Sequence, residues 1–328
     1  MWECPNLFTI DDKDILVSRT MDFSFPLEPE MLVVPRNYNI SFENIENLKS
    51  HYAFLGLSQQ IGSSIFFADG INEYGLSCAA LYFDGYASYN KDIKSDKINL
   101  APHEVVSYIL ANCKNIENAK ELFKTINILN SPLDLIGRAA PLHWIIADES
   151  GASIVIEPVN KTFNILENTL GVVTNSPNLE WHITNLRNYI NIEPKQIDSR
   201  LLNDFELKPF GQGLGTFGLP GDFTPPSRFV RTVYNKFNTI LGENEETLVN
   251  SANHMLDTVS IPKGSVMTNR GQYDYTQHSC YMALKSRNYY FKTYDNTNLM
   301  KVSLSDYNLN STELIKKDFP KNTIYKNI

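Results

Sequence analysis

Residues 1–22 read Met1-Trp-Glu-Cys4-Pro-Asn-Leu-Phe-Thr-Ile-Asp-Asp-Lys-Asp-Ile-Leu-Val-Ser-Arg19-Thr-Met-Asp22. Taken alone, Cys4 reads as a buried cysteine ahead of a first strand. If Cys4 is instead residue one of a mature chain, its own α-amino group becomes the base. That amine has an ordinary pKa of about 7.7 to 8.0, so near neutral pH it can take the thiol proton and no histidine is needed. With Arg19 and Asp22 just beyond a short hairpin, the stretch can then form a catalytic centre.

Outward from this stretch, strand follows strand. Residues 14–20, 31–35, 52–57, 64–68 and 75–83 carry the short apolar runs of strands. Asp69-Gly-Ile-Asn-Glu-Tyr-Gly75 has the punctuation of a hairpin connection between two of them. Residues 102–126 place apolar side chains at helical spacing and read as two consecutive helices. Strand character returns at 143–147, 153–157, 162–167 and 171–173, with Asp148-Glu-Ser-Gly151 as a turn. A helical pair is predicted at 227–241, with Ser227 as its N-cap, and at 245–256. A late hairpin is predicted at 275–284 and 288–294. Segregated blocks of strands and helices, with no repeat and no linker, predict one α+β domain with helices packed outside sheets.

The 328 residues are 42% hydrophobic and 20% charged, the composition of a globular protein with room for a large core. A net charge of −8 with no basic stripe argues against a nucleic-acid partner. Cys4, Cys78, Cys113 and Cys280 are far apart and form no CxxC pair, so neither a disulfide framework nor a zinc knuckle is expected. Cys113 and Cys280 read as core residues. Asp11, Asp12, Lys13 and Asp14 interrupt any signal-peptide core, and no apolar window is long enough for a membrane span. The expectation is a cytoplasmic protein without a membrane partner.

Three motifs invite chemistry and are weaker than they look. Gly213, Gly215 and Gly218 spell GxGxxG, but that motif needs a helix starting within it, which Pro220, Gly221, Pro225 and Pro226 forbid. The segment reads as a Gly-Pro loop beside a cleft. The six histidines show no metal-ligand spacing, and no GxSxG elbow is present. No metal and no cofactor are expected. Asn175 follows a predicted strand, where its amide suits either a turn or an oxyanion donor. Arg228 sits at a helix start, where the dipole disfavours a cation, so an anionic partner is expected for it. Tyr82, alone, reads as core or interface.

Together, Cys4, Arg19-Thr-Met-Asp22, Asp69-Gly-Ile-Asn-Glu-Tyr-Gly75-Leu, Leu81-Tyr82-Phe, Thr174-Asn175-Ser-Pro177, Trp181-His182 and Gly218-Leu-Pro-Gly-Asp-Phe-Thr-Pro-Pro-Ser-Arg228-Phe make the chain resemble the choloylglycine hydrolase family of penicillin V acylases and bile salt hydrolases. The resemblance spans residues 4 to about 309. It implies a four-layer αββα N-terminal-nucleophile sandwich over residues 4–328, preceded by a leader, residues 1–3, that is removed on maturation. It implies Cys4 as nucleophile and base, Arg19 and Asp22 as its polar partners, Tyr82 and Asn175 around the oxyanion, and Arg228 as a charged support.

Tyr82 resembles the Gram-positive penicillin V acylases, where the bile-salt-specific members usually carry Asn. The resemblance thus implies a small-molecule acyl amide substrate, penicillin V first. Conjugated bile salts, an N-acyl homoserine lactone, or a silent member that binds without cleaving are the alternatives. It also implies a homotetramer, and the apolar and aromatic content of 183–192 is compatible with a subunit contact. The amino end departs from the family pattern: Trp2 and Glu3 precede Cys4, Pro5 follows it where Ser or Thr is usual, and the interval to Arg19 is one residue short.

Overall fold

The computed structural model describes residues 6–10, 14–61, 64–133 and 136–327. Among these, the central strand Ile15–Phe23 is buried along its whole length. A strand buried on both faces needs a cover on each side. One face meets a second sheet and the other a layer of helices.

The first sheet runs in the spatial order 172–173, 6–10, 15–23, 273–283, 288–293 and 300–303, with 266–267 added to the long strand. All its pairings are antiparallel. The second runs 162–167, 153–159, 142–147, 77–82, 69–72, 54–61, 30–34 and 315–317, with 64–67 added. Ile15, Val17, Cys280, Met282, Tyr289 and Phe291 of the first sheet pack against Met31, Val33, Leu55, Leu57 and Ile71 of the second. The helices Pro225–Asn238 and Glu245–Asp257 cover the outer face of the first sheet. Val105–Asn112 and Ile116–Phe123 cover the second. The result is the expected αββα sandwich.

Successive side chains of a strand point to opposite faces. On Ile15–Phe23 the odd-numbered Ile15, Val17 and Arg19 therefore look into the space between the sheets, while Thr20 and Asp22 look toward the helix layer. The two candidate site residues of this strand, Arg19 and Asp22, thus enter different layers. A register shift at Thr276/His278 in the neighbouring strand keeps Thr276 opposite Asp22 and Cys280 opposite Arg19.

Most predicted elements are found with ends shifted by a few residues. Two local readings are corrected and one element is new. Asp69-Gly-Ile-Asn is a buried strand, not a turn; the reversal comes at Glu73–Gly75, where Gly75 adopts φ 73°. Ser227 is not the N-cap of its helix. Thr224 takes that position, and Pro225 and Pro226 open the helix, because proline lacks an N–H at the one place where a helix does not use it. The hairpin Arg200–Leu202/Phe205–Leu207 had no sequence signal and is exposed throughout.

Asp69 is held by a close backbone crossing. A Cβ on Gly56 would lie 2.2 Å from the Asp69 carbonyl oxygen, and one on Gly70 2.7 Å from that of Leu55. Backbone cannot yield as a flexible side chain does. Gly56→Ala is therefore expected to destabilise the fold by about 1–3 kcal/mol, the usual cost of forcing extra volume into a packed core. The urea midpoint measures this, and an unchanged midpoint would show that the strands can part at no cost.

Candidate active site

Five of the six residues singled out in the sequence lie within the described structure, and four of them are joined. Arg228, in the first turns of Pro225–Asn238, has a fully buried guanidinium. Its Nη1 lies 2.7 Å from Asp22 Oδ2, and its Nη2 donates to Asn175 Oδ1 at 3.1 Å. Asn175 Nδ2 donates to the Tyr82 carbonyl oxygen at 2.9 Å. The chain Asp22–Arg228–Asn175–Tyr82 thus links a strand of each sheet, a helix and the loop after Val172–Val173. This explains the cation at a helix start: the carboxylate of Asp22 outweighs the unfavourable dipole, since a charge-assisted bond in a dry site is roughly twice as strong as a neutral one.

Asp22 is saturated from other directions as well. Thr276 Oγ1 donates to its Oδ1 at 2.5 Å and Thr20 Oγ1 to its Oδ2 at 3.3 Å. The planar amide of Asn175 is fixed at both ends. Its oxygen is held by Arg228 and its nitrogen by the Tyr82 carbonyl.

Arg19 occupies the other face. Its Nη1 donates to the Ala68 carbonyl at 2.8 Å and lies 3.3 Å from Asp69 Oδ2, both side chains being fully buried. Tyr289 donates to Asp69 Oδ1 at 2.5 Å. Burial pushes the Asp69 carboxyl up, while Arg19 and the Tyr289 hydroxyl pull it down. Asp69, read as a turn residue from the sequence, is the partner that sequence reasoning missed. Its only signal was the following Gly, which serves strand crossing and not a turn.

Cys4 lies outside the described residues. Asn6, two positions further on, pairs with Arg19 in the sheet. The side chain of Tyr82 turns away from Asn175. Its hydroxyl accepts from Arg138 Nη2 at 2.5 Å, and burial raises its pKa, so it remains a neutral phenol. Phe23, Phe25, Tyr82, Ile136, Arg138 and Arg270 share the lining of a cleft of about 430 Å³ that begins where the Asp22 strand ends. The Gly-Pro loop read as lying beside a cleft does not line this one. Arg231 instead ties it to the helix through the carbonyls of Pro220 and Asp222, both at 2.7 Å.

His182 supports the network from below. Its Nε2 is 2.9 Å from the Asn175 carbonyl and its ring stacks on Phe229 with centroids 4.8 Å apart. Burial pushes its pKa down to about 4, so at neutral pH it is an uncharged ring donating through Nε2. His143, stacked on Phe83, is pushed down to about 3 by burial and by the neighbouring His182. Neither ring acts as a cation at the site. Among the described residues, no group of His, Cys, Asp and Glu is arranged to hold a metal ion. Cys78, Cys113 and Cys280 are free and buried, with burial raising each thiol pKa.

A face-to-face pair of sheets between helices, with a polar network at one end of the central strands, defines the N-terminal-nucleophile hydrolase class. The family of linear amide C–N hydrolases known as the choloylglycine hydrolases matches residues 4–317, and this chain belongs to it. It is a hydrolase acting on linear amide C–N bonds. The chain is 35% identical to a bile salt hydrolase/transferase of Clostridium perfringens, over 91% of each chain. It is 34% identical to one of Lactiplantibacillus plantarum, over 90% of this chain and 91% of that one. A solved mutant of the conjugated bile acid hydrolase of C. perfringens superposes with a TM-score of 0.91, at 33% identity and 99% coverage of both chains. The penicillin V acylase of Agrobacterium tumefaciens shares the fold with a TM-score of 0.77 at 21% identity, covering 98% of this chain and 93% of that one.

The two depressed histidines make acid stability a test of this packing. In the unfolded chain each takes a proton near pH 6.5, whereas in the fold each stays neutral until about pH 4 or below. Their contribution is therefore complete above pH 6.5 and lost as pH falls from there toward 4, at up to about 1.4 kcal/mol per pH unit for each ring. His182→Gln is expected to flatten the fall of unfolding free energy with decreasing pH across that window. An identical slope would place His182 outside the linkage.

Proposed function

We propose that this chain cleaves amides joining an apolar acyl group to an anionic amine, with conjugated bile salts as the first class and penicillin V as the second. The observation that carries this reading is the continuity of the Asp22–Arg228–Asn175 network with the aromatic and cationic cleft beside Tyr82. The curated relatives named above favour bile salts. Tyr82 keeps penicillin V in second place, through the resemblance noted from the sequence.

The mechanism assigns each residue a task. With Cys4 as residue one, its free amine takes the thiol proton and the sulfur attacks the amide carbonyl. The side-chain amide of Asn175 supports the resulting oxyanion, a role typically worth about 2.7–4 kcal/mol for one donor. Arg228 holds Asn175 in place and Asp22 holds Arg228. The C–N bond then breaks, the amine leaves with the proton, and water hydrolyses the thioester to release the acid. Arg19, anchored by Asp69, supplies positive charge on the other face of the same strand. Residues 1–3 must first leave, because an amide nitrogen at Cys4 accepts no proton. Attack of the Cys4 thiol on the Glu3 carbonyl, followed by hydrolysis of the ester so formed, releases them.

We further propose self-association through residues 181–217, toward a homotetramer. Ile190, Leu201, Phe205, Phe210 and Phe217 are 89%, 68%, 68%, 113% and 80% exposed, a density of apolar surface that single proteins rarely leave to water.

Intact mass and turnover measured on one preparation test the enzymatic reading. Loss of the first three residues, blocked by Cys4→Ala, is expected together with hydrolysis of glycine-conjugated bile salts faster than of penicillin V. Faster cleavage of penicillin V would reverse the order, hydrolysis of neither would leave a binding protein, and full activity from a chain retaining Met1 would refute the amine-base mechanism. For assembly, size exclusion is expected to give about four times the 37.4 kDa chain mass; elution as a monomer would sink that proposal.

A further inference from the structure

The cleft beside Tyr82 has an uneven charge that the amidase chemistry does not require. Its lining carries two guanidinium groups, Arg138 and Arg270, against one carboxylate, Asp84. Arg138 is partly neutralised, since its Nη2 lies 3.3 Å from Asp84 Oδ1 and also donates to the Tyr82 hydroxyl. Among the described residues the side chain of Arg270 has no hydrogen bond and no ion pair. Both guanidiniums are close enough to the Tyr82 hydroxyl to act on it electrostatically. In a chain with net charge −8, an uncompensated cation facing a cleft is a local reversal of the molecule's field.

We propose that Arg138 and Arg270 form an anion-binding wall of this cleft and select linear amides that carry a carboxylate or sulfonate. The inference rests on the amidase reading for its placement and adds residues that decide specificity. The physical basis is the fork of N–H donors on a guanidinium, which matches the two oxygens of a carboxylate and two of the three of a sulfonate. Phe23, Phe25 and Ile136 supply the apolar side of the same cleft, so the substrate has an apolar body near a fixed negative charge. The positive wall also draws such substrates from solution against the overall negative charge of the protein. Arg138 has a second task in holding Tyr82. Arg270 has none visible, which makes it the cleaner residue to change.

Binding separates this inference from the amidase reading, because it needs no turnover. In a chain that lacks residues 1–3 and carries Cys4→Ala, the probes are the glycine conjugate of cholic acid, its neutral methyl ester and the taurine conjugate, titrated calorimetrically at low salt. The charged glycine conjugate is expected to bind about tenfold tighter than its ester. Arg270→Ala is expected to cut that ratio about fivefold while leaving the ester's affinity unchanged, and Arg270→Glu to remove the preference. Raising the salt to 0.5 M should shrink the ratio in the parent and leave Arg270→Glu nearly unaffected. The unchanged ester affinity and an unchanged melting temperature verify the fold of each variant. The taurine conjugate tells whether sulfonate is accepted as well as carboxylate; rejection of both anions overturns the proposal. So does equal affinity for acid and ester, or an acid-to-ester ratio that Arg270→Ala does not move. Preferential binding of the acid, with no hydrolysis by the chain that retains Cys4, would leave the anion wall standing and remove only the amidase reading.

Discussion

The fully buried pairing of Arg228 with Asp22 is the constraint from which the site follows. Moving either charge out of water costs several kcal/mol, and their attraction offsets this only if both are well placed and every remaining donor and acceptor is satisfied. Here Thr20 and Thr276 donate to the Asp22 carboxylate and Asn175 accepts from Arg228 Nη2. Removing one member leaves an uncompensated charge in a dry place, so the network is all or nothing. That property makes it a rigid mount: the strand, the helix and the loop after Val172–Val173 cannot shift independently without exposing an unpaired ion.

The second buried pair, Arg19 with Asp69, applies the same logic between the two sheets. It lies at the end of an otherwise apolar interface, where Ile15 and Val17 on the same strand face meet the opposing Met31, Val33, Leu55 and Leu57. Packing is dry there, and a polar pair survives only because the Ala68 carbonyl and the Tyr289 hydroxyl complete its hydrogen bonds. Glycine at positions 56 and 70 brings the strands close enough for that arrangement. The energetics of the sandwich and the placement of charge at its end are therefore one problem with one solution.

Much of this was legible in the sequence because it is written in local signals. Strand and helix periods at 14–20, 102–126 and 245–256 depend on neighbours in the chain, and the site residues stand in compact motifs. What escaped depends on distant contacts. Asp69-Gly70 has the chemistry of a turn, and only the crossing of Gly56 over it makes a strand. The two prolines at 225 and 226 look like helix breakers until the helix is known to begin with them. Tyr82 was read as one functional unit, whereas its carbonyl serves Asn175 and its hydroxyl serves Arg138. Arg138 and Arg270 lie far apart in the chain and no motif joins them; only the folded cleft does.

The alternation of faces along Ile15–Phe23 carries a consequence for how this architecture can change. Arg19 and Asp22 address different layers because an odd number of positions separates them, so their relation is one of parity and not of distance. Inserting one residue between them would send Asp22 into the gap between the sheets and away from Arg228, however well the strand itself re-formed. Variation in length is confined to the loops that flank the strand, and the interval within it is a fixed gauge against which both halves of the molecule are aligned.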